Sequence, residues 1–505
     1  MQTLGQILSS SAAEYGEKIA LVIGETSWSY RRLSGLANRM SNSLAEMGIK
    51  QGDRVTLYGA NSLEWIVSYY AILQVGAVVN PINVMLTAEE VKYVLGDCGA
   101  KAIIASVEKG SALVGQLQET DVEALILYGN DIPAGAVAFD DLISNGSDHY
   151  DIKVPPLESL STICYTSGTT GKPKGAMLSH RAVATNIAMT KLMHGRTVND
   201  VAVTALPCPH VYGNVVMSAM FQSGAKLVVH PVFDPDVMLT SMQKHRATVF
   251  DGVPTMYMFM LNHPQAASFD LTSLRLCTVG GQPMPPAKMK AVEHLFGCNL
   301  IELWGMTELG GLGTTFAWNG EYKHGSIGVP IPYVSARIAD IDNPSEEMPR
   351  GEVGELMIRG GIVMDGYFGN EQATRETIDQ DGWLHTGDLA SMDKQGYISI
   401  VDRKKDMILT AGYNIYPAEI ERVLSSHSDV ALAAVGSVPD ELKGELAKAY
   451  IIAKEGCSPT QEEIITFCRE HLAAYKVPRA VQFVDDVPKT STGKIMRREL
   501  HKLNA

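Results

Sequence analysis

The chain has 505 residues, 46% of them hydrophobic and 19% charged, with a formal net charge of −14 and a pI near 5.4. That length exceeds what one hydrophobic core organises, so two or more domains are expected, and the composition is that of a globular rather than a disordered protein. The acidic balance argues against a nucleic-acid partner, which needs a basic face, while leaving room for a local cationic pocket that holds a small anion.

The first residues, MQTLGQILSSSAAEYGEK, lack a basic segment followed by a long apolar core, and no run of 18 apolar residues occurs. A cytoplasmic protein without a transmembrane segment is therefore expected. RRLSGLANRMSNSLAEMG is amphipathic at helical spacing and DRVTLYG reads as a strand. SLEWIVSYYAILQVG is helical again, VKYVLGDCGAKAIIAS repeats the alternation, and AKLVVHP, ATVFDGVP and LRLCTVGG continue it. Such alternation predicts α/β layers with buried parallel strands. Seven cysteines, at 98, 164, 208, 277, 298, 457 and 468, form no C-x-x-C pair and read as reduced thiols.

Near residue 350 the texture changes. RGEVGELMIRG and GYISIVDRKKDMIL read as antiparallel strands with polar turns. EIERVLSSH (helix), DVALAAVGSV and ELAKAYIIA (strands), PTQEEIITFCREHLAAY (helix) and AVQFVDDVP (strand) then make a compact unit of roughly 100 residues, a usual size for a small domain. The expected architecture is a large N-terminal domain of layered sheets and helices, residues 1–402, and a smaller, mobile α+β domain, residues 403–505. The boundary falls near Asp402–Lys405.

Within this frame, YTSGTTGKPKG at 165–175 follows an apolar strand-like stretch. Gly168 and its neighbours offer unobstructed backbone N–H groups, Thr166, Ser167, Thr169 and Thr170 offer hydroxyls, and Lys172 and Lys174 offer positive charge. These are the parts needed to hold a polyphosphate, although the spacing fails the G-x-x-x-x-G-K-[ST] pattern and a solvated turn has the same composition. WGMTE at 304–308 adds Trp304, able to cover a purine, and Glu308, able to ligate a hard cation. LHTGD ends in Asp388, whose two oxygens suit a ribose diol, and PKTSTGKIMRREL carries Lys494. Singly, Trp304 serves equally as core packing, Asp388 as a turn residue and Lys494 as a surface charge.

Together, YTSGTTGKPKG, WGMTE, GWLHTGDLA, DRKKDMILTAGYNIYPAEIE and PKTSTGK, in this order, resemble the motifs of the adenylate-forming superfamily, which includes acyl-CoA and aryl-CoA synthetases. The resemblance spans about residues 10 to 500. It implies a two-step reaction: a carboxylate attacks the α-phosphorus of ATP, giving an acyl-adenylate and pyrophosphate, and a thiol such as that of coenzyme A then expels AMP. The carboxylate is already ionised, so the obstacle is bringing an anion to a polyanion. Two unit charges ~4 Å apart repel by ~4 kcal/mol at an effective dielectric of 20, and cationic groups carry this half-reaction.

The resemblance assigns roles residue by residue. Lys494, Thr307, Glu308 and His210 form the implied catalytic set. Lys494 bridges the carboxylate and α-phosphate, Thr307 donates to the α-phosphate and Glu308 holds Mg²⁺. The loop from Thr166 through Lys172 to Lys174 wraps the outer phosphates. Asp388 and Arg403 hold the ribose with Ile400 nearby, and Gly280, Gly281, Gln282 and Trp304 flank adenine. Lys405 is the implied hinge, and Gly412, Tyr413 and Asn414 line a pantetheine tunnel once the small domain turns.

By position in the same family, His210, Val211, Tyr212 and Gly213, with Gly281, Gly305, Gly310 and Gly311, line the acyl pocket. Its glycines are expected to leave room for a flat or elongated group, and the Tyr212 hydroxyl to meet a polar substituent; core packing of Tyr212 is the equal alternative. The absence of Arg and Lys from these stretches disfavours a dicarboxylate, and the absence of an acidic residue disfavours an amino acid. HVYG resembles hydroxycinnamate-CoA ligases and WGMTEL resembles medium- and long-chain fatty acyl-CoA synthetases. The expected substrate is an aryl or hydroxycinnamic acid such as ferulate or coumarate, with a fatty acid as the alternative. Adenylation for another acceptor and a non-catalytic homologue rank lower, as does a kinase, which would yield ADP rather than AMP. A homodimer is compatible with the sequence, which does not fix the oligomeric state.

Overall fold

The computed structural model describes residues 2–144, 146–166, 173–410, 413–440, 444–489 and 495–504. Of the residues singled out above, Ser167, Gly168, Thr169, Thr170, Lys172, Gly412 and Lys494 lie outside the described set.

The expected α/β alternation is present. An eight-stranded sheet runs in the order Gly366–Tyr367, Lys174–Ser179, Leu160–Thr166, Val78–Pro81, Arg54–Tyr58, Ala100–Ser106, Ala124–Tyr128, Val137–Ala138. Its inner strands are parallel and buried, which explains why VVNP and IIAS read as continuous rather than alternating apolar runs. A seven-stranded sheet, mostly parallel, contains Lys226–Val229, Val249–Gly252, Leu276–Val279 and Asn299–Glu302.

Local chemistry sets the helix starts. Ser62 accepts the Trp65 N–H ahead of Leu63–Gln74, and Thr87 with Glu90 forms a reciprocal cap on Ala88–Cys98, which Gly99 ends in a left-handed conformation. The helix Val211–Gln222 is buried along almost its whole length: Tyr212 bonds to Thr278 of the seven-stranded sheet, and Val211 and Asn214 line a small cavity together with residues of the eight-stranded sheet. Among the described residues, no helix is long and apolar enough to cross a membrane.

A three-stranded sheet (Trp304–Met306, Gly311–Thr315, Val329–Pro330) and a four-stranded antiparallel sheet (Val334–Ala339, Val353–Gly360, Leu384–Met392, Ile398–Arg403) follow. GYISIVDRKKDMIL does not continue as one strand. Lys404–Asp406 form a single 3₁₀ turn, and Ile408–Thr410 opens a separate five-stranded sheet that includes the long Val430–Asp440 and Gly444–Ala453 pair. That last sheet has its own core around Ile408, Ile420, Val435 and Ile451. The cysteines carry free thiols.

Candidate active site

Two expected ribose residues meet by strand register. Asp388 is not in a turn: it sits within the strand Leu384–Met392, directly opposite Arg403 on Ile398–Arg403. Arg403 Nε lies 2.6 Å from Asp388 Oδ1, and Trp304 Nε1 donates to Asp388 Oδ2 at 2.8 Å. The carboxylate is 5% exposed, so its two charge-assisted contacts fix it in place. Ile400 packs against the main core two positions before Asp402. Gly281 is exposed at the end of the adjoining seven-stranded sheet and Gln282 is partly exposed beside it.

WGMTE is likewise not one loop. Trp304–Met306 is a strand and Thr307–Leu309 a 3₁₀ turn, so Thr307 and Glu308 sit at a sharp bend. Asn186, buried on the helix His180–Met193, clamps that bend: its amide donates to the carbonyls of Leu309 and Leu312 and accepts the Leu312 N–H. Tyr367 donates to Glu308 Oε1 at 2.8 Å, and Lys174 Nζ lies 5.2 Å above the Tyr367 ring. Thr166 and Lys174 face each other across an antiparallel strand pair. Tyr367 and Asn186 were not predicted; neither stands in a recognisable motif, and only the fold brings them to Glu308.

Glu308 supplies one buried carboxylate with one oxygen already oriented, and no cluster of three metal-ligating side chains occurs among the described residues. That fits Mg²⁺, which binds through one or two carboxylates together with substrate phosphates and water.

A small cavity of about 10 Å³, room for one water molecule, lies beside this bend. Val211 and Gly310 line it, with Pro209 and Asn214 from the same helix start. Pro81, Thr162, Cys164, Leu178 and Val183 complete the wall from the eight-stranded sheet and the helix His180–Met193, none of which was predicted. Burial, reinforced by the Glu308 charge, pushes the Cys164 thiol up to about 12, so it is a neutral wall residue. His210 caps the helix: its Nδ1 accepts the Tyr212 N–H at 3.3 Å, and Asn61 pins the preceding loop through the Leu206 carbonyl and the Cys208 N–H.

The expected roles of several pocket residues change. Tyr212 faces the seven-stranded sheet, with its hydroxyl 2.7 Å from Thr278 Oγ1, and does not line the cavity. The core-packing alternative describes it, because helical spacing turns position 212 away from the face formed by 211 and 214. Two of the glycines, Gly305 and Gly213, are small for another reason. A Cβ at Gly305 would stand 2.0 Å from the Gly311 carbonyl, and one at Gly213 would stand 2.3 Å from the Pro207 carbonyl. These positions are small because backbones pass close together.

The small domain meets this region through three anchors. Asp402 accepts from Arg403 N and Arg497 Nη1 through Oδ1, and from Ala418 N through Oδ2. Arg497 also reaches Asp406 and Glu421. Lys405 stands exposed in the short turn between the two sheets, and Tyr413 is 58% exposed, stacked on Tyr475 with ring centroids 4.9 Å apart.

Glu302, which sequence reasoning passed over, is 5% exposed and its Oε2 has no partner among the described residues. Burial pushes its carboxyl up to about 7, against the pull of the Met284 and Gly325 N–H groups and Arg422. A raised folded-state value means stability that is full below the ordinary value near 4.5 and lost as pH rises through 7. Glu302→Gln stays neutral, so its stability relative to the wild type should rise by on the order of 2–3 kcal/mol between pH 5 and 8. Urea midpoints at both pH values check this, and a pH-independent difference would place the carboxylate in contact with water.

The Asp388–Arg403–Trp304 cluster and the Glu308–Tyr367 pair thus stand at the two ends of the segment 304–308. The chain belongs to the AMP-binding enzymes: residues 8–368 match that family and residues 419–494 match the AMP-binding enzyme C-terminal domain. It is 34% identical to a long-chain-fatty-acid–CoA ligase of Escherichia coli O6:H1, over 99% of this chain and 94% of the relative. It is 36% identical to a feruloyl-CoA synthase of Amycolatopsis sp, over 95% and 94% respectively. The crystal structure of ATP-bound MatB from Rhodopseudomonas palustris superposes with a TM-score of 0.92 at 30% identity, covering 99% of this chain and 98% of that one.

Proposed function

We propose that this protein is an AMP-forming carboxylic acid–CoA ligase. The observation that carries the reading is that the short segment 304–310 joins the groups: Trp304 bonds to the Asp388 paired with Arg403, Glu308 bonds to Tyr367 under Lys174, and Gly310 borders a small apolar cavity. In this reading Asp388 and Arg403 orient the ribose. Lys174 and the hairpin loop attract the phosphates, and Glu308 and Thr307 stand where the α-phosphate is attacked. Mg²⁺ held by Glu308 would neutralise phosphate charge. His210, capping the cavity-lining helix, marks the mouth where the carboxylate emerges. Lys494 completes the cationic side for adenylation, and rotation about Lys405 then brings Gly412 and Tyr413 to the thiol path. Those last assignments rest on the motif resemblance, with the division of the chain at 402/403.

The acid is an apolar one, because the cavity lining carries no cation among the described residues that would pair a second carboxylate. An aryl or hydroxycinnamic acid is the first candidate, supported by the feruloyl-CoA synthase relative. A medium- or long-chain fatty acid is the second, supported by the fatty-acid ligases at similar identity.

Incubation with Mg-ATP, CoA and panels of fatty, benzoic and hydroxycinnamic acids tests the reading by mass spectrometry. Acyl-CoA and AMP from one class are expected. Acyl-adenylate without acyl-CoA would move the acceptor assignment elsewhere, and ADP would overturn the reading.

A further inference from the structure

The strand that carries Asp388 is interrupted by a bulge. Glu355 pairs with Leu389 and Met357 with His385, so Thr386, Gly387 and Asp388 stand opposite the single residue Leu356. Extra residues of this kind bend a strand and re-aim its side chains, and Gly387, at φ +70°, takes the left-handed conformation that the bend requires. Thr386 pins one side of the bulge: its hydroxyl donates to the Leu356 carbonyl at 2.6 Å and accepts the Asp388 N–H at 3.1 Å.

Glu355, whose side chain is 3% exposed, pins the other. Its Oε1 accepts the Gly387 N–H at 3.2 Å. Its Oε2 accepts from Lys404 Nζ at 3.1 Å and lies 3.3 Å from His385 Nδ1. Burial pushes the carboxyl up, but His385 and Lys404 outweigh it and hold the group below its ordinary value, so it is ionised. Lys404 also donates to the Ile341 carbonyl at 3.4 Å, which ties the start of the Lys404–Asp406 turn to the loop after the strand Val334–Ala339. One buried carboxylate thus grips the residue before Asp388 and the residue after Arg403.

We infer that Glu355 is the positioning residue of the ribose site: through Gly387 it aims Asp388, through Lys404 it aims Arg403, and so it sets how strongly the nucleotide's 2′- and 3′-hydroxyls are selected. The inference rests on the ligase reading and deepens it. Direct pairing of their two strands already brings Asp388 and Arg403 together, so what Glu355 adds is aim rather than the pair itself. Aim matters because a hydrogen bond to a charged group weakens steeply with angle, and a site that drifts by about half an ångström loses most of its selectivity.

Isothermal titration calorimetry with Mg²⁺ and no carboxylic acid compares Kd for ATP and for 2′,3′-dideoxy-ATP. The wild type should prefer ATP by about 10- to 100-fold, the scale of one hydrogen bond to a charged group. Glu355→Gln, which keeps an acceptor for Gly387 but gives up the charge facing Lys404, should lower that preference by more than about threefold, and so should Lys404→Met. Glu355→Leu, which gives up both contacts, should bring the two nucleotides to within about threefold of each other. Loss of folded protein removes binding sites without changing either Kd, so a merely structural role leaves the preference where it was. The Lys404 side chain is 38% exposed, so Lys404→Met decides the matter where a buried substitution fails to fold. A preference within about threefold of the wild type in either Glu355→Gln or Lys404→Met overturns the inference and leaves the ligase reading standing. A wild type that binds the two nucleotides equally overturns the inference together with the ribose assignment of Asp388 and Arg403, and formation of acyl-CoA and AMP then decides the ligase reading separately.

Discussion

Lys494→Ala should lower acyl-adenylate formation by roughly 10²- to 10³-fold, the scale of losing one charge placed where a transition state develops it. It should largely spare thioester formation from supplied acyl-adenylate. The physical ground is that adenylation joins an anionic carboxylate to a polyanion, while thiolysis of the finished adenylate does not. Lys494 itself lies outside the described residues. Three residues on, Arg497 lies beside the proposed hinge, with Nη1 2.8 Å from Asp402 Oδ1 and Nη2 2.6 Å from Glu421 Oε2. A bulky side chain in place of Gly412 should give the mirror result, sparing adenylation and blocking transfer to CoA. Single-turnover measurement of each half-reaction decides the matter. Equal losses of both halves in either variant would sink the proposal that the small domain serves them in turn.

Asp251→Ala should cost about 3–5 kcal/mol of stability, the usual penalty for stranding one member of a buried ion pair. Arg196 Nη2 is 2.5 Å from Asp251 Oδ1 and both side chains are 0% exposed. Asp251 Oδ1 also accepts from Thr278 at 2.7 Å, and Thr278 in turn holds Tyr212. Removing the acid therefore leaves a guanidinium and the Thr278 hydroxyl proton short of partners beneath the cavity-lining helix. The Arg196→Met, Asp251→Leu double variant should be far milder, since Arg196 Nε and Asp251 Oδ2 are already unpartnered among the described residues and apolar groups would not need those bonds. Urea unfolding of both variants is the check. A single variant that loses under about 1 kcal/mol would mean that water reaches the pair.

The α/β alternation, the change of texture near residue 350 and the compact C-terminal unit were legible because buried parallel strands, amphipathic helices and antiparallel strands leave different residue periods. The details left open were local. Of the alternatives for Asp388, the turn falls away, because the residue lies within a strand whose register sets it opposite Arg403. The first half of WGMTE is a strand that pairs with Gly311–Thr315.

For the site, motifs identified the residues that carry ligand chemistry, since glycines, hydroxyls, lysines and carboxylates cluster in sequence where a phosphate-binding hairpin or a bend is built. They did not identify the supports. Asn186, Tyr367 and Arg497 act across separations of 59 to 126 residues, so no window of sequence contains both partners.

From the sequence by itself came the family, through the resemblance of five ordered motifs, and the order of the domains and the charged and hydroxyl-bearing groups, because local composition and periodicity specify secondary structure and loop chemistry. Only the tertiary structure decided which face of the helix Val211–Gln222 meets the cavity, and so why Asn214 lines it and Tyr212 does not. That choice depends on two sheets closing on one helix from opposite sides, and packing between distant segments is the part of folding that a local pattern does not encode.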